Sequence, residues 1–199
     1  MVRNPLRVRA QRKTSAMLTR VGWEPPQSWP VPQPGGQPLV FQTRLPAAEF
    51  VRPAELPERR RDAPASVGGQ LLALDQAQDA EHVFLAAAIC STEGDHGVLA
   101  TMTAALADRP LPFTGRDGAT VGRRARKRVK GMRAPVTVVE RQDGEQPSSP
   151  LVVQYTRREP QGVLTLTFVA DNRALAGNAR RLFQNIVRGS HLAVASRAA

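Results

Sequence analysis

Leu151-Val152-Val153-Gln154-Tyr155-Thr156, a turn through Glu159-Pro160-Gln161-Gly162, and Val163-Leu164-Thr165-Leu166-Thr167-Phe168-Val169 form the stretch that decides the fold. Leu164, Leu166 and Phe168 alternate with Thr165 and Thr167. That period of two belongs to a strand with one face on a core. Proline and glycine between the two runs mark a tight reversal, so the stretch predicts an antiparallel hairpin. A helix is predicted directly after it. Leu175, Ala179, Leu182, Phe183, Ile186 and Val187 recur at helical spacing as one apolar stripe, with Arg173, Arg180, Arg181, Gln184 and Arg188 elsewhere around it. Asp171 or Asn172 can cap its start, and Gly189 suits the left-handed position after a helix end. The stripe should lie on the sheet.

Upstream, the apolar runs Val83–Cys90 and Val98–Leu106 flank the polar segment 91–97, a second hairpin signal. Thr101 and Thr103 alternate there with Ala100, Met102 and Ala104. Pro135–Arg141 reads as a further strand, followed by a polar loop to Pro150, and Leu39–Thr43 as a first strand. Pro46–Pro64 is rich in Pro, Glu and Arg and reads as an exposed, irregular connection. The prolines of Glu24–Pro38 exclude helix and central strand. That segment has the spacing of a polyproline ligand, but reads first as a lead-in laying Trp23 and Trp29 on the core. Residues 1–22 are a basic arm with a broken, loosely amphipathic pattern. No repeat is visible. The expectation is an α+β fold, an antiparallel sheet of hairpins covered by helices. It divides as 1–38 (arm and lead-in), 39–192 (one domain) and 193–199 (tail).

Charge is distributed less evenly than the fold. The chain carries a formal +11, and two short runs hold more than all of it. One is the arm, with Arg3, Arg7, Arg9, Arg12, Lys13 and Arg20 and no acid. The other is 114–133, with Arg116, Arg123, Arg124, Arg126, Lys127, Arg128, Lys130 and Arg133 against Asp117. Charge gathered in runs serves docking to an anionic partner, whereas evenly spread charge serves solubility. Val121, Ala125, Val129 and Met132 are spaced so that the second run could be a short helix docked on the core. Lysine occurs only at 13, 127 and 130. Arginine, alanine, glycine, proline and valine together mark a GC-rich, bacterial genome, which weakens any argument from arginine over lysine.

Cys90 is the single cysteine, so neither an intrachain disulfide nor a cysteine-based zinc site can form. No run of about 18 apolar residues is present, so no membrane-spanning helix is predicted. The basic start lacks the apolar core of a secretory signal, and a cytoplasmic protein is expected. The histidines, His82, His96 and His191, stand in polar turns or past the last helix, where solvation or the helix dipole accounts for them. Nucleophile-elbow, zinc-protease, phosphate-loop and dinucleotide glycine signatures are all missing from the sequence. The expectation is therefore no enzyme, metal or cofactor.

The order of a tyrosine-bearing strand (Leu151–Tyr155), the Leu164-Thr165-Leu166-Thr167-Phe168 strand and a terminal helix with Leu182-Phe183 and Ile186 resembles small actinobacterial PsbP-like proteins. The apolar strand, acidic-glycine turn and threonine-alternating strand of 83–106 look similar too, so the likeness spans about residues 80–190. It implies a helix-covered antiparallel sheet used as a non-catalytic accessory module. The basic run 123–133 departs from that pattern. No functional residue is carried over, because the shared features are apolar patterning alone.

From the residues themselves the anion- or partner-binding candidates are Arg123, Arg124, Arg126, Lys127, Arg128, Lys130 and Arg133, with Arg7, Arg9, Arg12 and Lys13 of the arm. Trp23 and Trp29 are candidate aromatic anchors for a protein partner. The favoured expectation is docking to an acidic partner, a protein assembly or an anionic surface such as lipid head groups. The alternative is RNA or DNA binding through Arg123–Arg133 and the arm, though no aromatic residue is interleaved for base stacking.

Overall fold

The structure, a computed structural model, describes residues 23, 25–32, 37–46, 48–51, 82–90, 98–111, 123–127, 129, 132, 135–142, 151–170 and 176–195. In chain order the strands are β1 (Gln27–Val31), β2 (Leu39–Thr43), β3 (Ala48–Val51), β4 (Val83–Cys90) and β5 (Val98–Ala107). They continue as β6 (Arg123–Lys127), β7 (Val136–Gln142), β8 (Leu151–Glu159) and β9 (Gly162–Ala170). The helix α1 (Ala176–Gly189) and β10 (His191–Val194) complete the set.

Two antiparallel sheets result. One has seven strands in the order β3-β4-β5-β9-β8-β7-β6, the other three in the order β1-β2-β10. This overturns the expected α+β sheet covered by helices, and with it the PsbP-like architecture. The described residues are mostly strand, with α1 as their single helix. The reason is non-local. Short segments without clear alternation take their hydrogen bonds from distant partners, and a second sheet covers part of the core that helices were expected to cover.

The hairpins formed where alternation predicted them, β4–β5 and β8–β9. Leu85, Ala87 and Ile89 of β4, Ala100, Met102, Ala104 and Leu106 of β5, and Leu164, Leu166, Phe168 and Ala170 of β9 are buried on one face. Leu151, Val153 and Tyr155 of β8 and Val136 and Val138 of β7 extend that face. Phe183 of α1 stacks on Phe168 with ring centroids 4.4 Å apart and planes 16° from parallel. Ala179, Leu182, Ile186 and Val187 are buried beside it, as the helical stripe predicted.

The small sheet lies next to α1 over the same face. Phe41 of β2 meets Phe84 of β4 at 5.3 Å, and Trp29 of β1 tilts against Phe41 at 6.1 Å. Ser190 Oγ, buried just past α1, donates to Thr43 Oγ1 at 2.9 Å or to the Ile186 carbonyl at 2.7 Å. The proline-rich lead-in thus enters as an edge strand, β1, where Pro30 need not donate to a neighbour on its open side. β3 similarly places a strand inside the segment 46–64 expected to be irregular.

The second face of the large sheet is of different composition. Ala86, Ala88, Ala105, Ala107, Thr101, Val163, Thr165 and Gln154 are buried there. Because pairing is antiparallel throughout, one row crosses the whole sheet as Val51, Ala86, Thr103, Thr167, Gln154, Val139 and Arg124. The neighbouring row runs Ala105, Thr165, Thr156, Thr137, Arg126.

Candidate functional site

The basic run builds an edge strand. Arg123-Arg124-Ala125-Arg126-Lys127 is β6, paired to β7 from Arg123↔Glu140 to Lys127↔Val136. The short helix expected from Val121, Ala125, Val129 and Met132 is corrected to this strand. Spacings of four and eight are even, so three of those positions share a strand face as readily as a helix face. Pairing with β7 settled the ambiguity. Val129 is buried in the core cluster and Met132 packs against it, with Met132 N–H donating to the Val129 carbonyl at 3.0 Å. Arg128, Lys130, Arg133, Arg7, Arg9, Arg12 and Lys13 lie outside the described residues.

Register sorts the cations of β6. Arg123 and Lys127 fall on the face that carries Glu140 and Val136, while Arg124 and Arg126 fall on the face of Val139 and Thr137. The rows ending at Arg124 and Arg126 contain no acidic position. Arg141 (opposite Val152) and Arg158 (opposite Val163) share this second face. Among the described strands its one acidic position is Glu49, on β3 at the opposite edge. The second face is therefore polarised, with cations gathered toward β6.

Arginines on the core face are held differently. Arg180 of α1 reaches Glu140 Oε2 from both Nε and Nη2 at 3.2 Å, tying helix to β7. Arg157 pairs with Glu159 two residues along β8 and donates to the Ser190 carbonyl at 3.0 Å. Beside them Tyr155 is buried edge-on to Phe168, centroids 5.7 Å apart. Burial pushes its phenol pKa well above the ordinary value; the Glu140 carboxylate adds to the shift and the Arg180 guanidinium opposes it. Sequence reasoning missed this cluster. The available signal was the β8 alternation, which puts Tyr155, Arg157 and Glu159 on one face. A small cavity of about 10 Å³ lies among Val136, Tyr155, Arg157, Leu164, Leu166 and Val187, room for about one water and no ligand.

The tryptophans are separated from the basic edge. Trp29 is half-buried in β1, and Trp23, 39% exposed, bridges Pro46. The small sheet packs on β4, and β4 and β6 are five strand spacings apart in the sheet order. That is about 24 Å measured along the sheet.

His82 is exposed in the turn before β4, its carbonyl accepting from Leu106 N–H at 3.2 Å, and His191 is exposed on β10. Among the described residues no three His, Cys, Asp or Glu side chains come together as a metal site, and no helix is long and apolar enough to cross a membrane. No family model, no curated protein and no solved structure matches this chain.

Proposed function

We propose that this protein is a non-catalytic docking module that binds an acidic partner through its basic segments, with β6 as the centre of the contact. One observation carries the reading. Four of the five residues of an edge strand are cationic, and the two rows that end at Arg124 and Arg126 contain no acid. Arg157 and Arg180, which face the core, have carboxylate partners. An edge strand also leaves a line of backbone groups that a partner strand can pair with. The +11 net charge draws any acidic chain toward the surface before contact.

The test replaces Arg123, Arg124, Arg126, Lys127 and Arg128 by glutamine and measures binding of poly-glutamate and of a single-stranded oligonucleotide at two salt concentrations. Poly-glutamate should bind the wild type at low salt and lose affinity in the variant. The thermal unfolding curve should show that the variant is folded. Equal binding to both proteins at either salt overturns the reading. Oligonucleotide binding with a steep salt dependence, poly-glutamate remaining unbound, makes the partner a nucleic acid instead.

A further inference from the structure

We propose that β6 receives its acidic partner by strand addition: an extended segment pairs along the outer edge of β6, its acidic residues at alternate positions opposite Arg124 and Arg126. This rests on the docking reading above and adds the mode of binding.

The sheet order makes β6 a terminal strand, and among the described residues no strand pairs with its other side. Alternate residues of such a strand turn both backbone N–H and C=O to the open side, where a further strand can satisfy them. β6 joins the sheet through antiparallel pairing over all five of its residues. An added strand would therefore continue a regular ladder.

Charge decides what can occupy the edge. A second copy of β6 would set Arg-Arg-Ala-Arg-Lys beside itself, and like charges directly opposite each other destabilise a strand pair. The charges thus reject self-association while admitting an acidic strand, both halves of specificity in one device. Register adds direction. Arg123 already sits opposite Glu140 on the core-side face, whereas Arg124 and Arg126 sit opposite Val139 and Thr137. An incoming strand gains most with its acids on the second face, two residues apart. Duplex or single-stranded nucleic acid would use the same charges but not the backbone edge, and β6 carries no aromatic side chain for base stacking.

The experiment uses the full chain and five probes: a short peptide of alternating Glu and Thr, the same composition with the glutamates clustered, the alternating peptide with N-methyl groups removing every second N–H, poly-glutamate, and a single-stranded oligonucleotide. The alternating peptide should bind at least about tenfold tighter than its N-methylated form, a difference of about 1.4 kcal/mol. It should also bind tighter than the clustered form. Arg124→Gln with Arg126→Gln should abolish that preference, with the thermal unfolding curve confirming that the variant is folded. The peptide comparison on wild type needs no variant at all. If all three peptides bind equally, strand addition is wrong and the acidic-partner reading stands. If no peptide and no poly-glutamate binds, both are wrong, and oligonucleotide binding then identifies the competing class.

Discussion

Raising the pH should weaken this fold through Tyr155, the only tyrosine in the chain. Its side chain is 2% exposed, set edge-on against Phe168, with Glu140 nearby. Burial first, then the Glu140 carboxylate, disfavours the phenolate in the folded state, only partly offset by Arg180. The unfolded chain ionises near the ordinary value of about 10. Above that pH the native state holds a proton that the unfolded state has released, so stability falls as pH rises. The contribution is fully present below about pH 10 and declines with a limiting slope of about 1.4 kcal/mol per pH unit, until the native phenol itself ionises. At about pH 11 wild type should have lost about 1.4 kcal/mol that Tyr155→Phe retains. Every other ionisable group is common to both proteins, so the difference between the two isolates the phenol. The assay is denaturant unfolding of both proteins at mildly and strongly alkaline pH, with tyrosinate absorbance followed alongside. Because there is one tyrosine, absorbance should stay flat in the native protein through the ordinary range and appear with unfolding. A native-state titration near the ordinary value, or equal pH slopes for the two proteins, would refute the burial of Tyr155 and its placement beside Glu140.

Two more perturbations test the core and the hairpin. Phe183→Ala removes a fully buried ring stacked on Phe168 and should lower the unfolding free energy by about 3–5 kcal/mol in urea titration; a loss below about 1.5 kcal/mol would mean that α1 does not pack on β9. Gly162→Ala should destabilise by about 1–3 kcal/mol. Gly162 holds a φ of 143°, and an added Cβ would stand 2.8 Å from the Ala107 carbonyl oxygen. Unchanged thermal stability would overturn that close approach of the β8–β9 turn to the end of β5. The glutamine variants of β6 and the alternating acidic peptide, described above, test the docking edge separately from the core.

Arg157 and Arg180 show how little a basic residue type says alone. Each lies against a carboxylate, Arg157 through its own strand and Arg180 across 40 residues of chain. Availability for a partner is a property of neighbours, and neighbours come from register.

The sequence by itself determined β4, β5, β7, β8, β9 and the stripe of α1. There the information is local: alternation and helical spacing state which side chains leave water, and burial at roughly 25 cal/mol per Å² makes that pattern decisive. Trp29 on the core also followed from the lead-in, whereas Trp23, expected there with it, is exposed. Only the tertiary structure decided β1, β3, β6 and β10. His191↔Gln42 and Leu192↔Phe41 join residues at nearly opposite ends of the chain, and β10 is four residues long. Such a segment has no period to read, and it forms because β2 offers it hydrogen bonds and Ser190 anchors its start to Thr43. β6 is the sharper case. Three of the four apolar positions in its run suited a strand face as well as a helix, and pairing with β7 made it a sheet edge, because backbone groups that find a ladder leave no reason for a helix.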